Sequence, residues 1–263
     1  MDIIEHPPIL HIPQVWDHVL YTWIVMLVMI GVAYAATRKV GLVPRGAQNF
    51  VEVVLEQFIQ MIDDVIGPEG RRYLPLIATL GLFILLGNLI GLVPGMNGPT
   101  TNLNTTAACA IVVFFAYHYI GIKQQGLGHY LKHFMGPVPA LAPLMIPIET
   151  ISHLARPLSL TLRLFGNMFG GHVLLAIIFF LMGLDGLIGW ALSGSAAGAV
   201  VGGIGGLVTA AFTIGFLYPL KILVSFLQAF IFVMLTMLYI AGAVEGAEHD
   251  AHHGHAESQA AHH

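Results

Sequence analysis

Charge is scarce in this 263-residue chain, where Asp, Glu, Lys and Arg together make up 9% of the residues, against roughly 25% in soluble domains. So few ionic groups cannot cover a water-facing surface. A hydrophobic content of 57% and a mean hydropathy of +0.81 supply what contact with lipid requires instead. The chain is therefore read as an integral membrane protein. Cysteine is nearly missing too: the single Cys109 excludes an intramolecular disulfide, a cysteine-based zinc site and an iron–sulfur cluster. With ten Lys and Arg against fourteen Asp and Glu, no basic face is available for nucleic acid. Internal repeats of about 20–50 residues are lacking, which leaves an inverted-repeat transporter without support.

What the chain does have is long apolar runs. A crossing helix needs about 20 such residues, and runs at 19–36, 74–93 and 105–122 meet that length between charges or prolines. Two more, 140–183 and 198–243, exceed one upright crossing. They are expected to tilt, to lie partly along the membrane, or to bend at Pro143, Pro147, Pro157 and Pro219. The segment 48–66 differs, because Phe50, Val53, Val54, Phe58, Met61 and Ile62 recur at helical spacing while Glu52, Glu56, Asp63 and Asp64 occupy much of the rest. Acidic groups oppose insertion, so this is an amphipathic helix at the membrane surface or against a partner. The predicted fold class is all-α integral membrane, with five membrane helices and one amphipathic surface helix.

Positive charge sets the expected topology. Of the ten Lys and Arg, seven (Arg38, Lys39, Arg45, Arg71, Arg72, Lys123 and Lys132) fall in two connections, between the first and second spans and between the third and fourth. Residues 1–18 hold none, so the first run reads as a retained span and this segment as external. Five crossings then put the C-terminus inside. The region 19–243 is the membrane domain, and 244–263, rich in His and acid, reads as a disordered cytoplasmic tail. Its His spacing fits no closed coordination site, and no metal or other cofactor is expected. Gly194 to Gly206 reads as the turn into the last span and a close-packing stretch.

Three cations, Arg156, Arg163 and Lys221, remain inside apolar runs. Glu149, Arg156 and Arg163 are spaced seven residues apart, so they drift by only about 20° per step and share one helical stripe, which Asn167 extends. At ~1.5 Å per residue, Glu149 lies about 21 Å along the axis from Arg163, which places the carboxylate near one membrane face and the arginine deep. No carboxylate of this chain is well placed at that depth, since Glu149 is near one end and Asp185 near the other. A guanidinium does not deprotonate there, so a carboxylate brought by another subunit would stay ionised beside it. That is the chemistry of a proton or sodium translocator visited by a foreign carboxylate.

These residues also match a family. Leu158-Ser159-Leu160-Thr161-Leu162-Arg163-Leu164-Phe165-Gly166-Asn167-Met168 resembles the signature of the subunit a family of bacterial F-type ATP synthases. Asn88-Leu89-Ile90-Gly91-Leu92-Val93-Pro94-Gly95, Pro99-Thr100 with Asn104-Thr105, Glu149, and Leu227-Gln228-Ala229-Phe230-Ile231-Phe232 agree in order and spacing. The resemblance covers residues 45 to 243. It implies a stator subunit of the plasma (inner) membrane, with its last two helices long and strongly tilted against a rotor ring. Its partners would be c-ring proteolipids, b-type peripheral stalk subunits and the bilayer, and it would be a non-catalytic, ion-translocating part of the complex.

By the same resemblance Arg163 is the essential stator arginine, which meets each c-subunit carboxylate and separates two aqueous half-channels. Asn167 and Gln228 line the interface near it. Glu149, Ser152 and Ser159 belong to the cytoplasmic half-channel, although the serines also read as helix-packing groups. His172 belongs to the outer half-channel, where the family usually places an acid on the last helix seven residues before the glutamine. Here that position is Lys221. The outer route must use His172 without that acid, use another acid such as Asp185, or use Lys221 itself, whose plain alternative is snorkelling toward the surface. Arg156 reads as structural and His153 as a packing histidine, with an inward proton relay as its alternative. Two rival functions remain at this stage: an ion-coupled secondary transporter or antiporter, and a haem-holding subunit, which would need facing histidines among His118, His153 and His172.

Overall fold

The computed structural model describes residues 17–38, 41, 44–93, 96, 98–128, 130, 142–182, 187–192, 195 and 198–260. All regular structure among them is helical. In chain order the helices are α1 (Asp17–Thr37), α2 (Ala47–Val65), α3 (Leu74–Ile90), α4 (Leu103–Gln125), α5 (Ala142–Met182), α6 (Leu187–Leu192), α7 (Gly203–Phe212) and α8 (Tyr218–Ala260). Short 3-10 turns at Pro68–Tyr73 and Pro99–Thr101 precede α3 and α4, and π turns at Gly198–Gly202 and Thr213–Leu217 flank α7. Five stretches are long and apolar enough to cross a membrane: His18–Thr37, Pro68–Ile90, Leu103–Gln125, Pro143–Leu192 and Gly198–Val244. The protein is a multi-pass, all-α membrane protein. Asp185, Lys39 and Lys132 lie outside the described residues.

The prolines do not interrupt the fourth run. Pro147 and Pro157 sit inside the continuous α5, each withholding the N–H that the carbonyl four residues earlier would receive. Hydroxyls nearby engage neighbouring carbonyls: Thr150 Oγ1 donates to Ile146 at 2.7 Å, Ser159 Oγ to Arg156 at 3.0 Å and Thr161 Oγ1 to Pro157 at 2.7 Å. At Pro219 the backbone adjusts ahead of the proline, where Tyr218 N–H reaches back to the Thr213 carbonyl in an i→i−5 bond. Such a π turn spares the ring its clash with the preceding turn. Ser195 starts the last run as a cap, its Oγ accepting from Gly198 N–H at 3.0 Å. Where the tail is expected to be disordered, the backbone of α8 continues as helix to Ala260.

Two compact units divide the chain, one from Met1–Val28, Phe83–Thr105 and Arg163–Ala229, the other from Met29–Leu82, Thr106–Leu162 and Phe230–His263. In the first, Ile84 and Leu164 are fully buried, and the Pro99–Thr101 turn lies directly on α3. A Cβ placed on Gly98 would stand 2.8 Å from the Gly87 carbonyl oxygen and 3.0 Å from the Gly91 Cα. In lipid the gain comes from close van der Waals packing more than from apolar burial, so small residues at such crossings set how near two backbones come. Asn88 is buried in the same place, and its Nδ2 donates to the Ser225 carbonyl of α8 at 3.3 Å.

The second unit contains α2, whose apolar side buries Ile62 completely and sets the Phe58 ring near Gly81. Phe50 and Val53 are exposed. The chain leaves α2 through Gly67, whose φ of 92° lies in the left-handed region that costs a glycine little. Beyond that turn Arg71 grips Asp63 with two hydrogen bonds, Nε to Oδ1 at 2.8 Å and Nη2 to Oδ2 at 2.6 Å. The guanidinium holds the Asp63 carboxyl below its ordinary value of 3.8. A depressed carboxyl keeps its contribution above the unfolded value and loses it as pH falls through the folded one, so this fork is intact near neutrality.

Gly98→Ala should destabilise the protein by about 1–3 kcal/mol, because backbone atoms cannot yield to the new methyl. Gly31→Ala on α1, which meets nothing within 4 Å, should be neutral or slightly stabilising. Thermal unfolding in detergent distinguishes the two, and equal melting temperatures would contradict the close approach.

Candidate functional site

The polar side chains within the helices fall into two groups, one in each unit. In the first unit Arg163 is exposed on α5, and among the described residues it has no ion-pair partner. Gly166 and Gly170, three and seven residues on, share its face and have open space where a side chain would be. Phe169, Leu223, Phe226 and Leu227 are also exposed. One turn from Arg163, Asn167 Nδ2 donates to Gln228 Oε1 of α8 at 3.1 Å, and Gln228 is buried. The sequence pattern names these two residues separately, and the structure joins them.

His172 and Lys221 come to one neighbourhood. The His172 Nε2 lies 3.1 Å from where a Gly91 Cβ would be, and the Lys221 Cε lies 2.9 Å from the corresponding point on Gly171, the residue beside His172. Lys221 does not snorkel clear, because its Nζ is buried without a hydrogen-bond partner among the described residues. Asn88 Oδ1 and Thr100 Oγ1 share that condition in the same unit. Asn88 is thus a further polar member, and its signal in the sequence is an amide alone among apolar residues of a span.

In the second unit, Glu149 Oε1 is 3.3 Å from His153 Nε2, one helical turn away. His153 Nδ1 meets the Tyr117 hydroxyl of α4 at 3.1 Å. The Arg156 guanidinium lies over two rings, 5.8 Å from Tyr117 and 5.3 Å from Tyr239 of α8, so this cation is held by aromatic faces. His118 donates from Nδ1 to the Phe114 carbonyl at 2.8 Å and packs edge-on against His153 with centroids 5.3 Å apart. Two imidazoles in direct contact leave no plane for a porphyrin, so they do not form the haem pair considered above. Ser152 is exposed, and so is Ser159, whose hydroxyl is turned to the Arg156 carbonyl. Tyr117 and Tyr239 are members that sequence reasoning passed over, since tyrosines in spans usually mark interfaces.

A multi-span helical protein that exposes an arginine within one span and gathers titratable side chains in others belongs to the class of membrane proteins that move ions. Comparison with known proteins narrows the class. The family described as ATP synthase A chain matches residues 19–241. A Pelobacter propionicus protein called ATP synthase subunit a 1 is 50% identical over 236 residues, covering 88% of this chain and 89% of that relative. The ATP synthase subunit a 2 of Syntrophotalea carbinolica is 48% identical over 232 residues, covering 88% and 87%, and the ATP synthase subunit a of Geobacter sulfurreducens is 46% identical over 244 residues, covering 90% and 92%. The chain belongs to the ATP synthase A chain family.

The Asn167–Gln228 bond should be measurable as a coupling. Asn167→Leu and Gln228→Leu should each lower stability by roughly 0.5–2 kcal/mol through a buried amide left unpaired, while the double variant should cost less than their sum. Unfolding in a graded detergent series checks this; strictly additive costs would show that the bond contributes nothing.

Proposed function

We propose that this chain is the stator subunit of a rotary ATP synthase, carrying protons to and from the carboxylates of a c-ring through two half-channels. The observation that carries the reading is Arg163. A guanidinium exposed on a membrane helix costs several kcal/mol against hydrocarbon, so the face around it is built for a partner that brings negative charge. Open space at Gly166 and Gly170 lets a partner helix approach closely on that face. Family membership supports the same assignment, and the shared naming of the relatives gives the transporter alternative no support.

In this mechanism Arg163 stays charged throughout and never carries the proton. A ring carboxylate arriving opposite it must give up its proton to be stabilised, and leaving it must gain one before entering lipid. Asn167 and Gln228 hold the surface next to that exchange. Glu149, with Ser152 and Ser159, serves the cytoplasmic half-channel, and His172 with Lys221 serves the outer one. Buried polar atoms without partners among the described residues, here Lys221 Nζ, Asn88 Oδ1 and Thr100 Oγ1, are costly in an apolar medium and favour hydration, which supports an aqueous route past His172. The chain performs no catalysis by itself. It is placed in a bacterial plasma membrane with its N-terminus outside and C-terminus cytoplasmic, beside the c-ring and b-type stalk subunits.

Arg163→Ala should abolish proton-coupled ATP synthesis in assembled complexes. Arg163→Lys should not restore it, because an ammonium lacks the planar fork and can lose its proton on burial. Coupled synthesis at the normal rate in the alanine variant would overturn the assignment.

The outer pair is tested by charge. Lys221→Glu places a carboxylate beside His172 and favours the charged imidazole, so the pH profile of synthesis should move to alkaline values. Lys221→Met removes the cation only and should move it less. If the profiles of both variants and of His172→Ala superimpose on that of the parent, neither residue lies on the ion path.

A further inference from the structure

We propose that His153 is a proton-exchanging group of the inner route, paired with Glu149 and set in its working tautomer by Tyr117. The inference rests on the stator reading and goes beyond it, since nothing in that reading requires a histidine here. A packing histidine needs only to have its polar atoms satisfied. His153 instead has each ring nitrogen against a different proton-bearing group, Nε2 at 3.3 Å from the Glu149 carboxylate and Nδ1 at 3.1 Å from the Tyr117 hydroxyl. The ring is buried while Glu149 is only half-buried. The pair therefore joins a water-accessible acid to an enclosed base.

The chemistry follows from the tautomer. With Nδ1–H donating to the Tyr117 oxygen, Nε2 presents its lone pair to Glu149. A protonated Glu149 then gives its proton to Nε2: the carboxyl O–H bond breaks, an N–H bond forms, and the products are a carboxylate and an imidazolium in contact. Release is the reverse, with the proton returning to the carboxylate and then to water. Tyr117 accepts from Nδ1–H in both states, so the ring keeps its orientation through the cycle. Tyr117 is a positioning residue in this scheme.

Other groups around the imidazole complete its electrostatics. On its own helix these are Glu149 and Arg156. From α4 come Tyr117 and His118, the latter with its ring centroid 5.3 Å away. Tyr130 lies against His118 at 5.9 Å, and Tyr239 of α8 lies against Tyr117 at 5.9 Å. Arg156, held over the Tyr117 and Tyr239 rings, supplies a fixed positive charge in this cluster, and the Glu149 carboxylate is the group of opposite sign. An imidazole set between a carboxyl and a hydroxyl can accept a proton at one nitrogen while the other stays hydrogen-bonded, as a relay requires.

The test uses the complete ATP synthase complex in proteoliposomes, with the pH on the cytoplasmic-equivalent side varied at constant driving force. His153→Gln should assemble, lose about tenfold or more in proton-driven synthesis, and lose the dependence on inner pH across roughly 6–8 where an imidazole titrates. Tyr117→Phe should keep the pH step, because the imidazole remains, at a rate lowered about threefold or more by the unfixed tautomer. A histidine that only packs would change the amount of complex but leave the profile of surviving complexes unaltered, and that result overturns the proposal. If His153→Gln fails to assemble, Tyr117→Phe decides alone: an unchanged rate overturns the proposal and a lowered rate with the pH step retained supports it. Glu149→Gln separates the two levels. Slowed flux there with unaltered His153→Gln would refute the relay alone, whereas unaltered flux in both would refute the inner-channel reading on which it rests.

Discussion

A permanent positive charge cannot face hydrocarbon, and the rest of this structure answers that constraint. Arg163 stands exposed on a helix whose neighbours are otherwise apolar. No side chain among the described residues pairs with it. On the proposed reading, the cost of several kcal/mol is offset by the negative charge of a partner, and the exposed face is then half of an interface. The open glycines at 166 and 170 and the amide pair at 167 and 228 belong to the same solution, because they let another helix come near and keep the adjacent surface polar without adding a second fixed charge.

Length was the most legible property in the sequence. Runs of apolar residues between charges pointed to long membrane helices, because hydrocarbon thickness sets the least length a crossing helix needs. The amphipathic α2 was legible for a related reason, since its spacing of apolar residues has no other use. Proline marked where a bend could fall but not where a helix ends. Pro147 and Pro157 pointed to bends by their missing N–H groups, yet α5 runs through both, with hydroxyls at 150, 159 and 161 engaging carbonyls nearby. The tail misled differently: polar composition suggested disorder, while its backbone continues α8.

Pairing between helices was the least legible. Glu149 and His153 are one turn apart on one helix, so their contact could be expected from spacing alone. The Tyr117 hydroxyl on the other side of the ring could not, because it depends on how α4 and α5 are rotated within the unit, and no local pattern encodes that rotation. Arg156 shows the same limit. From the sequence it reads as structural with no partner specified; in the structure it is held by two aromatic faces contributed by α4 and α8.

Lysine at position 221, where the family resemblance leads one to expect an acid, bears on what the proposed outer route needs. If the essential requirement were a carboxylate beside His172, a lysine there would be disabling. Among the described residues Lys221 has neither a counter-ion nor a hydrogen-bond partner, and its amine is buried with the Cε over Gly171. An amine differs from a guanidinium in that it can give up and take back a proton, as a carboxylate can. On the proposed reading the outer route needs a titratable group near His172, and the sign of its charged form is secondary. On the proposed reading, arginine at 163 and lysine at 221 divide two duties that look alike in a list of cations, one group fixed in charge where a ring carboxylate would pass and the other able to exchange a proton along the outer route.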